Sequence, residues 1–505
     1  MSGMRAGTRG GAFAVSLALP LAAAALRPRA ASCEEPPRAP VPSSPFLGVV
    51  YRYADAMLDK GRDTHGPQKT GLFLSALDRE RLEPLSARPA APAGVREGDR
   101  AGPSGGPLTG ANLQHDENLL RVLYTLSDLS TKPAYREAAD AELKWFLDQA
   151  RSPATQLLPW GEHLSWDTAK DEPAAADGAE GGTHEFFRPW LLWDRCFDLA
   201  PEGSARFALA LWEHQIADQT TGAFDRHAGF ARPAARDGMD FARHAGFFIR
   251  TWAVAYARAK DERFLRAIET LLARFEKKRH EKTGLIPGHA GSEEAWPASS
   301  LSLAIDCEGA AHRVPEPLAS RLRAFAARED EVFCALPQDL ARTRGFIAAA
   351  RAATGEPAGD RTPLWDARYG GYTTAQIGLL CVSRYENTGR VAYRELIHAA
   401  ADAYLEALPA ADADAWPGTF GQAISLELAA WRSTAKPAYL ERARELATRA
   451  VEGFFGSSPL PRASLKSAHY ETITGADTLA LALVELHLHI LYITAVRCPP
   501  NTADR

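Results

Sequence analysis

Four segments of this 505-residue chain align with one another: "KPAYREAADAELKWFL" (132–147), "DERFLRAIETLLARFE" (261–276), "RVAYRELIHAAADAYL" (390–405) and "KPAYLERARELATRAV" (436–451). Each carries an aromatic at its fourth position (Tyr135, Phe264, Tyr393, Tyr439), opens an amphipathic helix, and follows another helix across a short polar turn. A repeated helical hairpin cannot bury its apolar face alone, so the copies must stack into an open solenoid or close into a ring. First helices of such hairpins are expected at about 112–129, 184–198, 240–258, 297–310, 373–386, 419–433 and 474–492. Second helices are expected at about 133–150, 203–217, 261–278, 315–327, 391–408 and 437–455. In the helix expected at 112–129, Leu119, Val122, Leu123 and Leu126 follow the i, i+3, i+4, i+7 spacing of one apolar face. The helix at 46–60 lacks a sequence partner and would close a ring by packing beside the last one. No repeat has the polar outer face of a solenoid cap. The expected fold is therefore an all-α (α/α)7 toroid, first helices inside and second helices outside, over residues 46–495.

The ends read differently. Arg5 and Arg9 precede the apolar run 12–26, which is too short to span a membrane comfortably, so residues 1–32 are expected to be a cleaved export signal. Cys33 in "AASC" is a weaker reading as a lipid-attachment site, because Arg27 and Arg29 interrupt the apolar approach. A Pro-rich lead-in (33–45), a Pro/Gly/Ala-rich loop (86–110) and a tail (496–505) complete the chain. The net charge of −5 argues against general nucleic-acid binding, and nothing after residue 30 is a membrane span. Six cysteines without a CxxC form neither a disulfide framework nor a metal motif; Cys196, Cys307 and Cys381 read as buried free thiols.

In a toroid, the links from one outer helix to the next inner helix emerge on one face. Here those links are long and polar: 152–167, 219–230, 281–291 and 412–421, carrying His163, His227 and His289. Loops on a rigid scaffold are where binding and catalysis concentrate. Inner-helix beginnings on that face add His115 and Asp116, then His184, Glu185 and Arg188, then Arg243 and His244. The sequence "RHAGF" occurs twice, at 226–230 and 243–247, once on a link and once at an inner-helix start. Arg188, Arg243, His244, His115, Asp116 and Trp160 are candidate substrate contacts, and Trp166, Phe224 and Trp416 are further aromatics suited either to sugar faces or to rim packing. The 86–110 loop is placed to cover or rebuild the mouth. Imidazoles with a carboxylate suit a transition metal, whereas an all-oxygen shell suits calcium.

His163 in "WGEHLSWD", Glu185 in "GGTHEFFR" and Arg226–His227 in "AFDRHAGF" follow one another at 22 and 41 residues. In these residues the chain resembles the family 2 polysaccharide lyases, pectate lyases built on an (α/α)7 barrel, over roughly 45–495. The resemblance implies a divalent metal (Mn, Co or Ni rather than Ca) on His163, Glu185 and His227, with Arg226 as catalytic base. Glu162 beside His163 and His184 beside Glu185 leave the choice of ligand open within each pair. The implied reaction is β-elimination beside a uronic acid, with a uronic-acid oligo- or polysaccharide as substrate. A guanidinium is an awkward base, since its pKa lies above about 12; the plainer role for Arg226 is a bidentate clamp on a substrate carboxylate. Two other functions fit an exported toroid: a glycoside hydrolase using two carboxylates among Asp116, Glu162, Asp167, Glu185 and Asp225, or a non-catalytic oligosaccharide-binding protein.

Overall fold

The computed structural model describes residues 44–178, 182–186, 188–232, 237–496, 498 and 501. The expected export signal and Cys33, with all but the last two residues of the lead-in, lie outside the described residues. The fold is the expected all-α toroid. Helix α1 (Pro45–Asp59) is followed by hairpins α2 (Glu117–Ser130) with α3 (Pro133–Gln149), α4 (Trp193–Leu199) with α5 (Pro201–Ala210), and α6 (Ala242–Ala259) with α7 (Glu262–Lys278). Next come α8 (Pro297–Ala311) with α9 (Leu318–Ala335), a short α10 (Leu340–Thr343), and α11 (Thr374–Thr388) with α12 (Val391–Asp402). Finally α13 (Pro417–Thr434) pairs with α14 (Pro437–Ala450), and α15 (Ala476–Ile490) packs on α1, closing the ring. Inner neighbours run α2–α15–α13–α11–α8–α6–α4.

The two layers bury differently. On outer α7, Phe264, Ala267, Ile268, Leu271, Leu272 and Phe275 are buried, a single helical stripe. On inner α15 every residue from Ala476 to Leu488 is buried, as a helix walled in on all sides requires. The repeated aromatic joins adjacent outer helices. Tyr135 donates to Asp55 Oδ1 of α1 at 2.5 Å, Tyr393 to Asp330 Oδ1 of α9 at 2.7 Å, and Tyr439 to Asp402 Oδ1 of α12 at 2.8 Å. Phe264 keeps the packing without the hydroxyl.

One inner element departs from expectation. Residues 184–198 do not form a single helix: α4 begins only at Trp193. Pro189 has no N–H to donate and drives its predecessor towards extended geometry, so no helix runs unbroken from 184. Thr183–His184 instead forms a short antiparallel ladder with Ala228–Gly229, pairing His184 with Ala228. The second helices also end differently: α5 and α14 finish in wider π-type turns (Leu211–Gln215 and Val451–Phe455), α9 runs on to Ala335, and α12 stops at Asp402. Cys196, Cys307 and Cys381 are buried and free, as read from the sequence.

Candidate functional site

The ladder between 183–184 and 228–229 sets Glu185 beside Arg226 and His227, although 41 residues separate Glu185 from the arginine. His163 arrives from the link that follows α3. The ligand atoms of His163, Glu185 and His227 lie within 4.8 Å of one another. His163 Nε2 is 3.8 Å and His227 Nε2 3.5 Å from Glu185 Oε2. Glu185 Oε2 and His227 Nε2 are both buried and have no hydrogen-bond partner. Two buried polar atoms left facing each other carry a desolvation cost that a bound group would offset. The two other residues left open by sequence have partners of their own. His184 is buried, with Nε2 accepting from Trp160 and Nδ1 against Gln215, so it points away. Glu162 forms a second group with Asp99 and His163, but its carboxylate is held by Arg96 and Arg226.

The electrostatics follow from these contacts. Burial opposes ionisation of Glu185, yet His227, His244 and Arg226 outweigh it and hold its carboxyl well below the usual range. Burial also disfavours a charged His227, but Asp225 and Glu185 raise it to about 9. Burial and the adjacent Glu185 push Glu162 up to about 7, with Arg226 opposing. Arg226 Nη1 donates to Glu162 Oε2 at 2.8 Å and to Glu185 Oε1 at 2.5 Å. Despite burial, those two carboxylates hold the guanidinium protonated beyond its ordinary range. It also lies over the Phe241 ring at 5.3 Å.

A supporting set surrounds the centre, of which the sequence offered Asp225 only as a candidate acid and named neither Asn112, Gly161 nor Gln215. Asn112 grips Gly161 from both sides, donating to its carbonyl at 2.7 Å and accepting from its N–H at 3.2 Å. Gly161 needs φ of +100°, and a Cβ there would stand 1.8 Å from the Glu185 carbonyl oxygen. Gln215 donates to the carbonyls of Asp225 and Arg226 at 2.9 and 2.7 Å. Asp225 accepts the His227 N–H at 2.9 Å and stands 3.3 Å from its Nδ1. From the 86–110 loop, Gly98 offers its carbonyl to His163 Nδ1 at 3.0 Å. Of these, only the Gly in "WGEH" and the Asp in "FDRH" leave a local sequence signal.

Several expected substrate contacts are placed elsewhere. Trp160 is fully buried, stacked on Phe186 at 5.5 Å and packed on Trp190 and Phe207, so neither face is open to a sugar. Phe224 and Trp166 are likewise packed inside, because the links fold onto the barrel end. His244 is buried and turned onto Glu185 Oε1 at 3.1 Å, making it a support for the centre rather than a substrate contact. His115 is buried with Nε2 3.0 Å from the Tyr369 hydroxyl. Asp116 is buried among Glu142 and Asp477 and raised well above the carboxylate range, chiefly by burial, so it faces the barrel interior. His289 lies beside Phe241 and Trp296, away from the trio.

Arg243 and Arg188 do reach open space. A cleft of about 750 Å³ is lined by Arg96, Arg226, Arg243, Arg361 and Arg368, with Glu162, Asp360 and Asp366 among them and Tyr369 beside them. It continues past Arg188, Gln422 and Trp416. Its cationic walls suit an anionic, extended ligand. Among the described residues no helix is long and apolar enough to cross a membrane.

The periplasmic pectate lyase family matches residues 101–289, the stretch that carries His163, Glu185, Arg226 and His227. This is narrower than the 45–495 suggested by the hairpins. A pectate disaccharide-lyase of Dickeya dadantii (strain 3937) is 25% identical over 146 residues, 28% of this chain. The matched stretch spans 26% of that relative's length. Among solved structures, a D-mannose isomerase aligns over 88% of this chain and 97% of its own at 9% identity, TM-score 0.48. The family 76 glycoside hydrolase (mannosidase) Bt3792 of Bacteroides thetaiotaomicron VPI-5482 aligns over 88% and 99% at 12% identity, TM-score 0.46. The resemblance to pectate lyases thus holds on the segments that build the centre.

Proposed function

We propose that this chain is an exported, metal-dependent polysaccharide lyase that cleaves pectate, polygalacturonate or a related uronic-acid polymer by β-elimination. The observation that carries the reading is the convergence of His163, Glu185 and His227, with buried unpartnered ligand atoms, beside a cleft walled by arginines. The family match over 101–289 supports the same reaction class. The basic-then-apolar N-terminus supports export to the periplasm or beyond.

His163 and His227 would hold the metal through Nε2 and Glu185 through Oε2; two imidazoles with one carboxylate favour Mn, Co or Ni over Ca. When bound, such a cation supplies Lewis acidity that acidifies the C5 hydrogen of the uronate, an effect of several kcal/mol. Arg243, Arg368 and Arg188 would receive carboxylates along the polymer. The resemblance gives Arg226 the C5 proton. The two ion pairs on its Nη1 favour a second arrangement, in which Arg226 stays cationic and clamps the substrate carboxylate. Glu162, which lines the cleft 2.8 Å from that guanidinium, would then take the proton.

The test is to supply polygalacturonate and other uronans with Mn²⁺ and to follow ultraviolet absorbance of the C4–C5 unsaturated product. Product that forms with metal and stops on chelation is the expected result. Reducing ends without unsaturation, surviving chelation, would establish a hydrolase instead. Oligosaccharide binding without turnover on any uronan would establish a binding protein.

A further inference from the structure

We propose that Trp296 is the platform on which a bound polymer stacks one sugar ring, and that Arg243 beside it holds that sugar's carboxylate; this subsite rests on the uronan reading of the cleft. A pyranose ring is polar around its rim but presents C–H groups on its faces. A flat aromatic surface next to a cation therefore meets one uronate residue in two ways, by face and by charge. Trp160, Trp166 and Phe224, the surfaces suggested by sequence, are all packed inside.

Among the described residues, the aromatic side chains that line the cleft are Phe241, Trp296, Tyr369 and Tyr372. The Phe241 face carries the Arg226 guanidinium at 5.3 Å. Tyr369 packs with Val95, Trp416 and Ile473, and Tyr372 packs against the barrel core. Trp296 is half-buried and has the largest ring of the set. Gly288 backs one of its faces: a Cβ there would stand 3.0, 3.1 and 3.2 Å from Cδ2, Cε3 and Cε2. Cδ2 lies where the two rings of the indole fuse, so an atom almost equidistant from it and its two neighbours sits over the ring rather than at its edge. Phe241 at 4.9 Å and His289 at 6.2 Å meet the indole at 60° and 58°, and neither is stacked on it. The rest of the indole surface is turned to the cleft.

The platform is fixed in advance. Glu294 and Ala295, just before it, pair with Arg351 and Ala350, and its carbonyl accepts the Ser299 N–H at 2.9 Å where α8 begins. A ring already held loses little freedom when a sugar covers it. Ser299 also ties it to Arg243, whose backbone N–H donates to Ser299 Oγ at 3.0 Å, and all three residues line the cleft. Arg226, Phe241 and Trp296 form a run, with the guanidinium 5.3 Å from the Phe241 ring and that ring 4.9 Å from the indole. The platform therefore serves a sugar further along the chain than the one at the centre.

Oligogalacturonates of graded length test the subsite. In the wild type, kcat/KM for unsaturated product should step up once a chain is long enough to reach Trp296. Trp296→Leu, apolar but not flat, should lose that step as an about tenfold rise in KM on polygalacturonate, and Trp296→Tyr should keep most of it. Binding is read separately, with EDTA present to stop turnover, by calorimetry with saturated oligogalacturonates and with their methyl esters. Trp296→Leu should weaken both ligands, whereas Arg243→Gln should weaken only the charged one. Wild-type length dependence and wild-type affinity in Trp296→Leu overturn the platform. So does an equal loss at every chain length, the shortest included, which marks a disturbed centre rather than a missing subsite. An Arg243→Gln loss that is the same for both ligands overturns its hold on the carboxylate. A wild-type chain that makes no unsaturated product at any length overturns the lyase reading alone, and the affinities then decide the platform.

Discussion

Asp225→Asn should weaken metal binding without touching a ligand. Asp225 Oδ1 accepts the His227 backbone N–H at 2.9 Å and stands 3.3 Å from His227 Nδ1, so it holds the Nδ1 hydrogen and aims Nε2 at Glu185 Oε2. The amide conserves size and one acceptor oxygen but removes the charge. A hydrogen bond to a charged partner contributes about 1.5–3 kcal/mol and a neutral one about 0.5–1.5 kcal/mol. The difference, roughly 1–1.5 kcal/mol, corresponds to about a tenfold loss of metal affinity. That sits at the lower end of the 10- to 100-fold range found when such outer partners are removed. Titration calorimetry with Mn²⁺ or Ni²⁺ reads the change directly. Activity should return at saturating metal, because only occupancy has changed. Unchanged affinity would refute the tautomer argument, and with it His227 Nε2 as a ligand. Activity that stays low at saturating metal would place Asp225 in the chemistry itself.

Two further outcomes concern the scaffold. Glu427, on inner α13, is buried with neither carboxylate oxygen hydrogen-bonded, and burial pushes it up to about 9 against the opposing charge of Arg442. Between about pH 4.5 and 9 the folded chain retains a proton that the unfolded chain has released, so stability falls as pH rises through that window, by up to about 1.4 kcal/mol per unit. Glu427→Gln should therefore gain stability over wild type between pH 4 and pH 8 in urea unfolding; parallel curves for the two proteins would refute the assignment. Gly161→Ala should cost about 2–3 kcal/mol or more and abolish metal binding, since its Cβ meets the Glu185 carbonyl oxygen at 1.8 Å. A variant with normal stability and normal metal affinity would show that this close approach is not required.

The barrel was legible because its signals are local and periodic. The 3.6-residue apolar stripe of α7, the thirteen consecutive buried positions of α15 and the repeated aromatic each occupy one contiguous stretch. The centre was legible only through a spaced motif. His163 and Glu185 sit on the link between α3 and α4 and His227 on the link between α5 and α6, and nothing in spacing alone says that the 183–184 ladder carries Glu185 to Arg226. Burial was read worst. Trp160 looked like a sugar platform because Trp suits either a rim or a core, and only the packing of Phe186, Trp190 and Phe207 around it decides between them.

The two copies of "RHAGF" acquire a joint sense on Glu185. Arg226 and His227 come from the first copy, and His244 from the second. Arg226 Nη1 and His244 Nε2 both occupy Oε1, at 2.5 and 3.1 Å. Oε2 is left to His163 and His227, at 3.8 and 3.5 Å, neither in hydrogen-bond geometry. One oxygen is thus spent on orienting the carboxylate and the other is left without a hydrogen bond. On the proposed reading, a carboxylate so divided presents a single oxygen, which favours monodentate attachment. Because α4 starts only at Trp193, the chain before it is free to pair with 228–229 rather than to wind into the inner layer. The shortest inner helix of the ring is therefore what makes room for the centre.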